Sequence, residues 1–129
     1  MDLKTYLDNQ LNMEKVKNIQ GHYRVPTGYS SWLNYWERKM NKKAVECQKN
    51  GCNEKEDLVG GHVHKVGDGD TVYLVPICQE HNHYTFTDEY EVPKDMLLKV
   101  SEEDLVREVL EDWLDEIIKN GTNKTVNNG

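Results

Sequence analysis

Two pairs of side chains constrain this chain more than any other feature: Cys47 with Cys52 in a C-x4-C arrangement, and Cys78 with His81 in a C-x2-H arrangement. Two thiolates on one tight loop, followed by a thiolate and an imidazole, make up the four nitrogen and sulfur donors of a tetrahedral structural zinc site. All three cysteines of the chain are then used. A Cys47–Cys52 disulfide is the competing account. It would strand Cys78, and no N-terminal segment reads as a secretory signal that would place the chain in an oxidising compartment. The spacing favours zinc. His62 or His64 could replace His81 as the fourth ligand, but C-x2-H at a helix start lets both of its side chains turn to one metal, so His81 is preferred.

Such a staple has a clear purpose here. The 129 residues suit one domain, yet only 36% are hydrophobic and Phe occurs once, so the apolar core is thin. No run approaches the ~18 consecutive apolar residues of a membrane span, and a soluble, cytoplasmic protein is expected. The formal charge of −7 is unevenly spread. Residues 101–129 hold eight acids against three bases, whereas residues 15–49 carry a net +6. That basic stretch, from Lys15 to Lys49, reads either as a phosphate-holding face or as a solvated helix surface.

Leu3, Tyr6, Leu7 and Leu11 recur at helical spacing after Asp2 and predict a short first helix. Gly21, Pro26 and Gly28 punctuate a loop or extended stretch that carries His22, Tyr23 and Tyr29. Ser30 or Ser31 caps a second helix running to about Asn41, with Trp32, Leu33, Tyr35, Trp36 and Met40 as its apolar members, read as core rather than as a base-stacking surface. Asn50, Gly51 and Asn53 give the C-x4-C loop the permissive backbone of a metal knuckle. A hairpin follows: a strand carrying His62 and His64, a turn over residues 66–71, and a return strand that stops at Pro76. A helical turn starts at Cys78, residues 86–92 are extended, and Ser101 with Asp104 opens an acidic helix whose stripe runs from Leu105 to Ile118.

From Cys47 to Tyr84, the order of knuckle, His-bearing strand, returning strand and C-x2-H resembles the treble-clef zinc arrangement of HNH endonucleases, the ββα-metal family. Leu58-Val-Gly-Gly-His-Val63 and Tyr73-Leu-Val-Pro-Ile-Cys-Gln-Glu-His-Asn82 also resemble segments of a group of small uncharacterised bacterial or phage proteins. The resemblance implies an α+β fold with a small zinc-stabilised HNH-like core at residues 46–100. Around it are expected a helical and loop segment at 1–45, the acidic amphipathic helix at 101–121 and a disordered tail at 122–129. It further implies structural Zn2+ on Cys47, Cys52, Cys78 and His81, and a catalytic set in which His62 is the general base and Asn82, with His83 beside it, holds Mg2+ or Mn2+. The chain departs from the family pattern in two places. Gly61 stands where most HNH motifs carry a metal-binding acid, and Tyr73 where an orienting asparagine is expected.

These features frame the expected function: a zinc-binding, HNH-like protein with a degenerate nuclease site, acting as a binding module for a protein or nucleic-acid partner. An active Mg2+-dependent endonuclease with His62 as base is the first alternative. A phage-type inhibitor that uses its acidic surface is the second. No membrane partner is expected, the setting implied is a bacterial or phage-infected cytoplasm, and the C-terminal helix offers a route to a homodimer.

Overall fold

In the computed structural model, which describes residues 2–105 and 117–118, one antiparallel sheet separates two packed layers. The elements are α1 (Leu3–Leu11), β1 (Met13–Asn18), α2 (Trp32–Met40), β2 (Leu58–Lys65), β3 (Tyr73–Cys78), α3 (Gln79–Asn82), β4 (Tyr90–Pro93), a 3-10 turn (Lys94–Met96) and β5 (Leu98–Lys99). The strand order is β4-β1-β2-β3-β5, every pair antiparallel. This is an α+β architecture. None of the described helices is long and apolar enough to cross a membrane.

Successive side chains of a strand point to opposite faces, and β3 shows what each face meets. Leu74 joins Trp32, Tyr35 and Trp36 of α2 and Val72 and Val100 in one core. Val75 and Ile77 join Val16, Val63, Tyr90 and Val92 in the other, together with Cys47 and Cys78. The helix layer is well specified locally. Ser31 Oγ accepts from the Asn34 N–H at 2.9 Å, and Asn41 ends α2 in the left-handed region with φ 55°. The indole N–H groups of the two α2 tryptophans are satisfied, Trp32 by the Tyr23 carbonyl and Trp36 by the Met96 carbonyl, each at 2.9 Å. The aromatic residues of α2 are core, as expected from their spacing.

The hairpin is present as β2 and β3, paired from Leu58↔Cys78 to Val63↔Tyr73. One boundary needs correcting. The return strand does not stop at Pro76 but continues to Cys78. Gly60↔Pro76 is a position whose backbone groups face away from the partner strand, because His62, two residues on, turns its carbonyl outward to the Ile19 N–H at 2.9 Å. On that outer side β5 has already ended, and the Pro76 carbonyl accepts from the Gln48 N–H at 3.0 Å. The missing N–H of proline therefore breaks no ladder bond.

β1 has no counterpart in the sequence reading, which placed no strand before residue 58. It lies between β2 and β4, with Lys15 and Lys17 exposed and Val16 and Asn18 buried. The stretch read as extended over residues 86–92 forms a strand only at Tyr90–Pro93, and β5 is likewise new. At the other end, Ser101 and Asp104 behave as a helix start: the Asp104 N–H donates to Ser101 Oγ at 3.3 Å, and Ser101 Oγ–H donates to the Asp104 carboxylate at 2.8 Å. The Tyr35 hydroxyl donates to the same carboxylate, and burial together with that neighbour pushes its pKa up to about 12. Residues 102–105 and 117–118 are helical; the rest of the expected acidic helix, the tail and the dimer surface lie outside the described residues.

Gly60 is where the helix layer meets the sheet most closely. A Cβ there would fall 2.8 Å from the Trp32 carbonyl carbon and 2.9 Å from the Leu33 nitrogen, both backbone atoms of α2. Backbone cannot swing aside as a side chain can, so Gly60→Ala is expected to lower unfolding free energy by ~2 kcal/mol. Denaturant melts at equal metal loading measure this; an unchanged midpoint would mean that α2 does not sit on β2 this tightly.

Candidate functional site

The C-x4-C loop is built as a knuckle. Gly51 and Asn53 take positive φ angles of 87° and 60°, and the Cys47 N–H donates to the Glu54 carbonyl at 2.7 Å, closing the loop on itself. It is docked at two further points, Gln48 N–H to the Pro76 carbonyl and Asn50 N–H to the Glu91 carbonyl at 2.8 Å. These bonds bring the loop to the C-terminal end of β3, where Cys78 leads into α3 and His81.

The result is a group of four donors, one each from Cys47, Cys52, Cys78 and His81, all within 4.8 Å of one another. Cys52 Sγ lies 3.9 Å from Cys78 Sγ, and His81 Nδ1 lies 3.1 Å from Cys78 Sγ and 3.9 Å from Cys47 Sγ. A zinc ion ~2.3 Å from sulfur and ~2.0 Å from nitrogen sets ligand separations of roughly 3.5–3.8 Å in a tetrahedron. The separations of 3.1–3.9 Å straddle that range. No cysteine is disulfide-bonded, so the Cys47–Cys52 bridge is not the arrangement found. Burial pushes the Cys47 thiol up to about 12 when no cation offsets it, so it would ionise only with a cation beside it. His81 presents Nδ1, and its ring packs edge-on against Phe86 at 5.0 Å.

No protein family, curated protein or solved structure matches this chain. What the site can do must therefore be read from its own atoms.

A cleft of about 620 Å3 opens where β1 leaves β2 after Asn18, walled by the loop that carries Tyr23 and Arg24, the start of α2 at Trp32, and His62, Asn82 and Tyr84. His62 and Asn82 thus share one cavity. No Asp or Glu is among the described residues that line it. His62 is packed rather than presented. Its ring lies 4.6 Å from Tyr23 and 4.5 Å, edge-on, from Trp32, and its Nε2 is buried with no hydrogen-bond partner among the described residues. Burial, with His22 adding a smaller repulsion, lowers its pKa from 6.5 to about 4, so the ring is neutral at physiological pH.

His83 and His64 lie elsewhere. His83 is exposed, and its Nδ1 meets the Thr85 hydroxyl at 2.8 Å; it is absent from the cleft lining. His64 shares a face with His62 by alternation, yet its Nδ1 is engaged by the Thr71 carbonyl at 3.0 Å, which fixes that nitrogen as the protonated one. Of the basic residues between Lys15 and Lys49, only Arg24 lines the cleft. Sequence reasoning missed Asn18, Tyr23 and Tyr84 as wall residues and Tyr90 as a support; the one signal for Asn18 was an amide at an inward position of an alternating segment.

The neutral, partly buried ring of His62 has a pH consequence. The unfolded chain takes up the proton near pH 6.5 while the folded chain resists it to about 4, so stability is whole above 6.5 and falls as pH drops to about 4. The loss is at most ~3 kcal/mol. Chemical unfolding of zinc-loaded wild type and His62→Phe between pH 7 and 4 isolates it, since both share the ligand titrations. Wild type should lose more; parallel pH profiles would show that His62 protonates freely in the fold.

Proposed function

We propose that this chain is a zinc-ordered binding module on an HNH-like, treble-clef frame, with a degenerate nuclease site and a nucleic-acid partner held in the cleft. One observation carries the reading. A Cβ at position 61 would lie 2.3 Å from Ile77 Cδ1 and 3.4 Å from Asn82 Oδ1. The place from which an acid would join Asn82 on a catalytic cation is filled by the end of the Ile77 side chain, so a carboxylate at 61 would need Ile77 to move, and with Gly61 no acid stands there. Asn82 alone offers a divalent ion a single neutral oxygen. His62 points the same way, because a base with a pKa near 4 and a walled-in Nε2 is poorly matched to deprotonating water at neutral pH.

The structural role of zinc supports the same reading. Binding of this kind contributes ~10–16 kcal/mol to the folding of zinc-finger peptides, enough to hold the knuckle, β3 and α3 together where the apolar core is small. The cleft lining supports an anionic, ring-bearing partner such as nucleic acid over a basic one. Among the described residues it has no carboxylate, and it contains Arg24 and Tyr84, whose ring is 74% exposed and in contact with that of His83 at 4.5 Å. An exposed ring can stack an unpaired base, an interaction worth ~1–3 kcal/mol per base.

A second reading, the active Mg2+-dependent endonuclease with His62 as base, is favoured by the shared cavity of His62 and Asn82. Two measurements separate them. Zinc-loaded protein should bind a labelled single-stranded oligonucleotide with affinity that falls as salt rises, and Tyr84→Ala should weaken it at least ~5-fold. With plasmid and Mg2+ or Mn2+, wild type and His62→Ala should both stay at background. Cleavage by wild type that His62→Ala abolishes would establish the enzyme instead, and absence of oligonucleotide binding at low salt would remove the nucleic-acid partner.

A further inference from the structure

α3 is four residues long, and Cys78 at its N-cap makes no side-chain capping bond. A single turn of helix does not persist unaided in water, and its last carbonyls have no partners within it. Metal ligation through Cys78 and His81 would hold one side of this turn. The other hold comes from β1. Asn18 Nδ2 donates to the His81 carbonyl at 2.6 Å across 63 positions of sequence, and the Tyr90 hydroxyl of β4 donates to Asn18 Oδ1 at 2.5 Å.

Both ends of that amide are used, so it cannot flip without losing two hydrogen bonds in a buried place. Its own backbone is fixed by the pairing Asn18↔Val63. The carbonyl it grips belongs to the peptide that joins His81 to Asn82. Because a peptide unit is planar, orienting that carbonyl sets the direction of both residues it joins. One is His81, whose Nδ1 faces the thiols; the other is Asn82, which lines the cleft beside Asn18 itself.

We infer that Asn18 is a positioning residue of the metal centre, holding the His81–Asn82 peptide so that His81 Nδ1 meets the three thiolates while Asn82 faces the cleft, with Tyr90 locking the amide. This rests on the zinc reading of the Cys47, Cys52, Cys78 and His81 group. Partners that orient metal ligands typically cost ~10–100-fold in affinity when removed; a contact that served only to hold the strands together would weaken binding through the fold alone and leave the donor geometry, read by the cobalt spectrum, unchanged.

The test compares wild type, Asn18→Leu and Tyr90→Phe. Zinc affinity is read by competition with a chromophoric chelator, and donor geometry by the visible absorption of the Co2+-loaded proteins. Asn18→Leu should bind zinc ~10–100-fold more weakly with a shifted cobalt spectrum, and Tyr90→Phe should lose a smaller factor in the same direction. Equal affinities with superposable cobalt spectra overturn the assignment, even if both variants melt at lower temperature. Should Asn18→Leu yield no folded protein, Tyr90→Phe decides alone: unchanged affinity and spectrum refute the role. A wild-type protein that takes up neither metal refutes the zinc reading as well as the role of Asn18, whereas uptake unaltered by the substitutions refutes only the role of Asn18.

Discussion

Four side chains from two distant stretches of sequence converge within 4.8 Å, and most of what is distinctive in this fold is arranged around that convergence. Two of them, Cys47 and Cys78, are themselves members of the apolar layer that contains Val63, Val75 and Ile77. Half of the donor group is therefore part of the core. A buried thiol such as Cys47 is costly to ionise without a cation beside it, so an ion held by this group would be coupled to folding. The knuckle's backbone bonds to β3 and β4 then carry the constraint outward into the sheet.

The cleft is a consequence of the same geometry. β1 pairs with β2 only from Val63 to Lys65, and past Asn18 the chain turns away, leaving the Leu58–Gly61 half of β2 beside a loop instead of a strand. Gly60 and Gly61 answer two different steric demands there, the backbone of α2 on one face and the side chain of Ile77 on the other. At the position where the motif departs from the catalytic pattern, the Ile77 side chain fills the space that a side chain at 61 would enter. His62 shows the same tension: it shares a cavity with Asn82, but its contacts are with Tyr23 and Trp32. The further alternative of an acidic inhibitor surface depends on residues 101–129, most of which lie outside the described region.

How much of this was legible in the sequence depended on whether the signal was local. Cysteine and histidine spacing pointed to the donor group, and a serine before an aromatic run pointed to α2, because ligand geometry and capping are decided over a few residues. The hairpin was legible through its turn and flanking apolar runs. β1 was not, since Met-Glu-Lys-Val-Lys-Asn has one strongly apolar inward residue and its lysines suggested a charged surface. Pro76 read as a stop because nothing in the sequence says which way its nitrogen faces; the answer depends on where β5 ends and Gln48 arrives. Asn18 could not be tied to His81 at all, because a contact across 63 positions follows from sheet order rather than from spacing.

Elemental analysis of the purified chain, followed by chelation while near-ultraviolet circular dichroism is recorded, bears most directly on the role given to the metal. One zinc per chain, with loss of the aromatic signal as zinc is withdrawn and its return on zinc addition, is the expected result. A protein with no stoichiometric transition metal, or one whose spectrum and unfolding transition are untouched by the chelator, would contradict it.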